Sequence, residues 1–162
     1  MSHAKFLANI QRELLTKASQ GQHTRGVSPN QEQEAIPLSN VLCIGVNDAM
    51  MRIRLSILGA AGHSVTQATD LRRVIAACDS NQFAVAVLGQ LLGHPEKLRI
   101  TDVVRKHCPG AKILELYTSM TPEIPKEVDA HLCVNIDNLA EELVGAVNRL
   151  SAQRPRKQER GA

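Results

Sequence analysis

Hydrophobic positions along this chain change their spacing near residue 40. Before that point, "AKFLANIQRELLTKAS" sets Phe6, Leu7, Ile10, Leu14 and Ala18 on one side of a helix, with Arg12, Glu13 and Lys17 on the other. The stretch "QGQHTRGVSPNQEQEAIPLSN" that follows is polar and rich in Gln, Ser, Asn, Gly and Pro. It holds too little apolar surface to fold alone and reads as a linker. From Val41 onward, short apolar runs alternate with helical stripes. "NVLCIGV", "HSVTQAT", "FAVAVLG", "AKILELYT" and "HLCVNI" read as strands. Between the first two, "AMMRIRLSILGAAG" carries Met51, Leu55 and Leu58 on one stripe, with Gly62 as its C-cap. Asp70 is placed to cap a second helix bearing Leu71, Val74, Ile75 and Cys78. A third runs from about Pro95 to Cys108, where Pro109-Gly110 stops it. "NLAEELVGAVNRL" closes the pattern with Leu139, Leu143, Val147 and Leu150 on one face.

Strands without strict polar alternation, each separated by a helix, imply a parallel sheet covered on both sides. Right-handed crossovers make that a three-layer α/β sandwich, and five strands suit the flavodoxin-like order 2-1-3-4-5, with its functional crevice at the carboxyl ends of the strands. The predicted organisation is an amphipathic helix over 1–19, a polar linker over 20–39, one domain over 40–150 and a basic, flexible tail over 151–162. Composition refines this picture in two ways. Aromatic residues make up only 2% of the 162, so the core must be aliphatic, which argues against a base-stacking nucleic-acid platform. The net charge of +3 belongs to the ends: residues 41–150 hold eleven Lys/Arg against twelve acids, and the tail holds four against one. Cys43, Cys78, Cys108 and Cys133 show no paired spacing, so free thiols in a reducing cytoplasm are expected. No leader pattern or membrane-length apolar run is evident, which also points to the cytoplasm.

The stretch "VLCIGVNDAMMRIRLSILGAAGHSVTQATDLRRVIAACDSNQFAVAVLGQLLG" resembles the first half of a response-regulator receiver domain, and the likeness extends more weakly to Leu150. In that family two adjacent acids after the first strand hold Mg²⁺; Gly45 and Val46 stand there, followed by Asn47 and Asp48. The phosphoacceptor aspartate ending the third strand is matched by Gly89, followed by Gln90. The small hydroxyl residue ending the fourth strand is matched loosely by Tyr117 or Thr118. The lysine closing the fifth becomes Val134, and the proline after it Asn135. Asp48 is the single carboxylate at these positions and is expected to cap the first helix. With no nucleophile, metal ligands or lysine, the resemblance implies a pseudo-receiver without an aspartyl-phosphate step. Between Thr118 and His131, Pro122 and Pro125 leave room for a loop or single turn where receivers place a whole helix.

Other features carry less chemistry. His131, Cys133, His107 and Cys108 lie on separate elements without CxxC or HxxxH spacing, so neither a metal nor any other cofactor is expected. No phosphate-cradling glycine motif or GxSxG context occurs. Arg54 interrupts the apolar stripe of the first helix; its long side chain is expected to snorkel at the stripe's edge, the alternative being an acid on a partner. The tail "SAQRPRKQERGA" offers at most weak contact with nucleic acid. The apolar face of Phe6, Leu7, Ile10 and Leu14 needs a cover, so self-association or partner docking is expected there. The preferred function is a non-catalytic, receiver-like protein-binding module in a bacterial-type signalling assembly. The alternative is a small enzyme or polar-ligand domain using Gly45, Asn47, Asp48, Gly89, Gln90, Tyr117 and Asn135.

Overall fold

The computed structural model describes residues 38–120 and 127–153. Phe6, Leu7, Ile10 and Leu14, nearly all of the linker, Pro122 and Pro125, and the tail from residue 154 lie outside the described residues. The described chain runs β1 (Asn40–Ile44), α1 (Asp48–Ala60), β2 (Ser64–Ala68), α2 (Leu71–Ser80), β3 (Val85–Leu88), α3 (His94–His107), β4 (Lys112–Tyr117), β5 (Ala130–Cys133) and α4 (Leu139–Ala152). All neighbouring strands pair in parallel, in the order β2-β1-β3-β4-β5, as the pattern predicts.

Alternation along each strand divides the core in two. Val41, Cys43, Val85, Val87, Leu114 and Leu116 pack against Met51, Leu58, Leu143, Val147 and Leu150 of α1 and α4. Leu42, Ile44, Ala86, Leu88 and Ile113 pack against Val74, Ile100 and Val104 of α2 and α3. These side chains are aliphatic, and burying each contributes roughly 1.5–3 kcal/mol. β5, at the sheet edge, is half-covered. Between Tyr117 and Ala130 the described residues form no helix.

Local chemistry sets the helix ends. Asp70 caps α2 as expected, accepting from the Arg73 amide at 2.9 Å. Gly62 takes φ +92° just past α1, a conformation that favours glycine. The cap of α1, however, is Asn47 rather than Asp48: the Asn47 side-chain oxygen accepts from the Met50 amide at 2.9 Å. Asp48 lies one residue inside, exposed, where its charge complements the helix dipole.

The cysteine expectation also needs correction. Cys43 and Cys133 are free, but Cys78 and Cys108 form a disulfide between the ends of α2 and α3, closing a separation of 30 residues. Sequence spacing carries no sign of it, because the two residues meet only when α2 and α3 lie side by side on the same face of the sheet.

Beneath α3 lies a buried ion pair. The Lys97 ammonium is 2.5 Å from Glu115 Oε1 and also donates to the Leu116 carbonyl at 3.1 Å. Lys97 and Glu115 are 1% and 0% exposed. His131, opposite Glu115 in the β4–β5 register, holds the second carboxylate oxygen through Nδ1 at 3.2 Å. Removing one member of such a pair leaves an uncompensated buried charge, whereas removing both does not. Urea unfolding of Lys97→Met is therefore expected to show a loss of about 3–5 kcal/mol, with much of it recovered in Lys97→Met/Glu115→Leu. Equal losses in both variants would contradict this role for the pair.

Candidate functional site

The carboxyl ends of β1 and β3 lie side by side and each continues into a glycine. Gly45 donates its amide to the Ala68 carbonyl at 3.2 Å, and Gly89 donates to the Ile44 carbonyl at 2.8 Å. Over both sits Arg54. Helical side chains lean toward the helix N-terminus, so from the second turn of α1 this residue reaches back to the strand ends. A Cβ placed on Gly89 would meet Arg54 Nη1 at 2.9 Å and the Ile44 carbonyl at 3.1 Å; one on Gly45 would meet Nη1 at 3.2 Å. The guanidinium thus occupies the space that side chains at these two positions would need. Its Nη2 donates to Gln90 Oε1.

Arg54 does not snorkel. It is 2% exposed, which corrects the sequence expectation: the polar strand ends, two missing side chains and Gln90 give its head a place inside. Burial pushes the guanidinium below its ordinary value, while nearby Cys43 acts in the opposite direction. Burial likewise pushes the Cys43 thiol up to about 12, against the pull of Arg54. The corner therefore holds a buried cation, a neutral thiol and a neutral amide.

The remaining predicted positions surround this corner without converging on it. Val46 is 53% exposed. Tyr117 and Thr118 end β4, half-buried, and the Tyr117 carbonyl accepts from the Val134 amide at 2.7 Å just beyond β5. Asn135 turns its side-chain oxygen to the amide of Asp137 at 3.3 Å. Asn47, Gln90 and Asn135 are each bonded within the chain.

The architecture has close structural counterparts. Chemotaxis response regulator CheY4 of Vibrio cholerae superposes with a TM-score of 0.59 at 21% identity, covering 70% of this chain and 99% of that one. Response regulator TrrA of Thermotoga maritima, in complex with Mg²⁺ and BeF, matches at 0.59 and 16%, covering 70% and 99%. The receiver domain of a sensor histidine kinase from Pseudomonas aeruginosa, with magnesium coordinated in its active-site cleft, matches at 0.59 and 15%, covering 72% and 100%. This chain has the receiver fold. No protein-family model matches its sequence, and no curated protein matches it either.

A receiver implies a magnesium ion at this corner, and the residues present do not fit one. A hard dication requires oxygen ligands, with carboxylates beside a phosphoryl group. Gly45, Val46 and Gly89 supply none, Asp48 is exposed in the first turn of α1, and a guanidinium in the pocket repels a second cation. Among the described residues no group of three or more His, Cys, Asp or Glu could hold a metal. Nor is any helix among them long and apolar enough to cross a membrane.

Sequence reasoning noticed Arg54 and His131 but missed Lys97 and Glu115. A signal existed. Lys97 shares a helical stripe with Ile100, Thr101 and Val104, and Glu115 interrupts the apolar run from Ile113 to Leu116; both are charges at buried positions. Opposite charges at two such positions suggest a pair.

The crowding at Gly89 yields a double-mutant test. Gly89→Ala is expected to lower the unfolding free energy by about 1–2 kcal/mol, because the guanidinium must yield and the Ile44 carbonyl is close. In an Arg54→Met background the same change should lose clearly less, giving a coupling of about 0.5–1 kcal/mol by urea denaturation. An equal penalty in both backgrounds would remove Arg54 from contact with Gly89.

Proposed function

We propose that this protein is a receiver-fold docking module in signal transduction or regulation that carries out no phosphoryl transfer of its own. The observation that supports this reading is the Arg54 guanidinium lying over Gly45 and Gly89, where receivers keep acids. A phosphoacceptor needs a carboxylate nucleophile and a metal to neutralise developing charge. In this reading Gly89 offers no nucleophile, and the Arg54 guanidinium lies where a metal would be needed. What the fold retains is a rigid sheet presenting helices, which is the part of a receiver that proteins recognise.

In this reading the partner is a protein and the setting is cytoplasmic. The amphipathic segment 1–19, with Phe6, Leu7, Ile10 and Leu14, is the proposed contact for a partner or a second copy. The basic tail adds weak attraction to anionic surfaces. The competing picture, a crevice for a neutral polar ligand or a small enzyme, requires free converging amides. The side-chain oxygens of Asn47, Gln90 and Asn135 already serve a helix cap, an arginine and a turn, so that picture finds three of its acceptors engaged.

The test is incubation of the full chain with acetyl phosphate and Mg²⁺, followed by intact mass measurement without acid exposure. The expected result is an unmodified mass under conditions that phosphorylate a receiver bearing the acceptor aspartate. A stoichiometric, acid-labile phosphoryl adduct would overturn the proposal.

A further inference from the structure

Far from Arg54, at the amino-terminal edge of the sheet, a second cluster is assembled from two dipeptides. Cys78 lies in the last turns of α2 and Cys108 caps α3, and their sulfurs are joined across a Cα–Cα distance of 5.4 Å. That span lies in the range a disulfide bridges without moving the backbone. The neighbours are paired as well: His107 Nδ1 is 3.0 Å from Asp79 Oδ1. Cys78-Asp79 therefore faces His107-Cys108. All four residues line an open groove of about 920 Å³, together with Asn81, Phe83 and Lys112.

We propose that Cys78 and Cys108 are a reversible thiol–disulfide site that exchanges with small thiols and disulfides of the glutathione class. Three features of the cluster support exchange over a sealed cross-link. Cys78 and Cys108 both line a groove whose volume accommodates a tripeptide thiol, although the two residues are themselves buried, 7% and 6% exposed. In the last turn of α3, Arg105 is paired with Asp129 and His107 faces Asp79, and the charge of Lys106 favours a thiolate against the negative ends of the two helices. The other cysteines sit elsewhere, Cys43 buried in β1 and Cys133 exposed on β5, so the pair has no competitor within reach.

The chemistry balances as two exchanges. A small thiolate attacks one sulfur, breaking the Cys78–Cys108 bond and leaving a mixed disulfide and one protein thiol. A second small thiolate attacks that mixed disulfide, releasing the oxidised small disulfide and the second protein thiol. Two electrons pass from the small thiols to the protein, and two protons end on Cys78 and Cys108; oxidation is the reverse. Oxidised, the bond ties the ends of α2 and α3 along the groove; reduced, that wall loses its covalent tie and keeps the His107–Asp79 contact. The inference stands apart from the fate of the receiver pocket.

The experiment equilibrates the full chain in glutathione buffers of rising oxidised fraction, quenches in acid, then alkylates in denaturant with a maleimide mass tag. Reading in denaturant makes the result independent of whether the reduced protein stays folded. The expected mass moves from four tags to two through an intermediate ratio where both species coexist, and peptide mapping shows Cys78 and Cys108 protected together. Cys108→Ser is expected to trap one glutathione on Cys78. Four tags at every ratio, two tags at every ratio, protection mapping to Cys43 or Cys133, or no trapped adduct would each overturn the proposal.

Discussion

A guanidinium buried at the carboxyl ends of β1 and β3 is the constraint around which this site is arranged. A charge removed from water is costly unless its surroundings answer it. Here they answer it with space and with one neutral acceptor. Gly45 and Gly89 provide the space, since a Cβ at either would crowd Nη1, and Gln90 provides the acceptor. Cys43, beneath the same corner, stays a neutral thiol because burial outweighs the attraction of the cation. A side chain at Gly89 would have to displace Arg54 first.

The second buried cation follows a different rule. Lys97 meets a full carboxylate, and the Glu115 oxygens are shared between it and His131 on the neighbouring strand. That arrangement ties α3, β4 and β5 together on the face opposite α1. One cation is answered by charge and the other by an amide. The paired one behaves as a fold-defining contact. The other, with no carboxylate from the described residues bonded to it, lies over Gly45 and Gly89 at the strand ends.

The fold was legible because aliphatic runs of strand length and helical stripes alternate cleanly from Val41 to Leu150. Parallel pairing follows once each strand is separated from the next by a helix. Caps were legible to within a residue: Asp70 was found, while Asn47 was passed over for its acidic neighbour Asp48, although either type can cap. Arg54 was visible as an anomaly but not as a solution, since its reach depends on two glycines that are remote in sequence and adjacent only in the sheet. Cys78 with Cys108 illustrates the same limit, since the pair joins α2 and α3 across the intervening β3. Lys97 and Glu115 lie on consecutive elements and stand out as buried charges, but they meet only when α3 folds back over β4. The segments carrying Phe6, Leu7, Ile10 and Leu14, and Pro122 with Pro125, lie outside the described residues, and their proposed roles rest on sequence pattern.

The most direct measurement of the central claim is an amide NMR titration of the full chain with Mg²⁺, alone and with beryllofluoride. If Arg54 fills the pocket and no carboxylates line it, the Gly45 and Gly89 resonances stay in place up to concentrations that saturate an acid-bearing receiver. Saturable shifts centred on Gly45 and Gly89 would mean that the pocket still holds a divalent ion, and Arg54 would then not be the group that closes it.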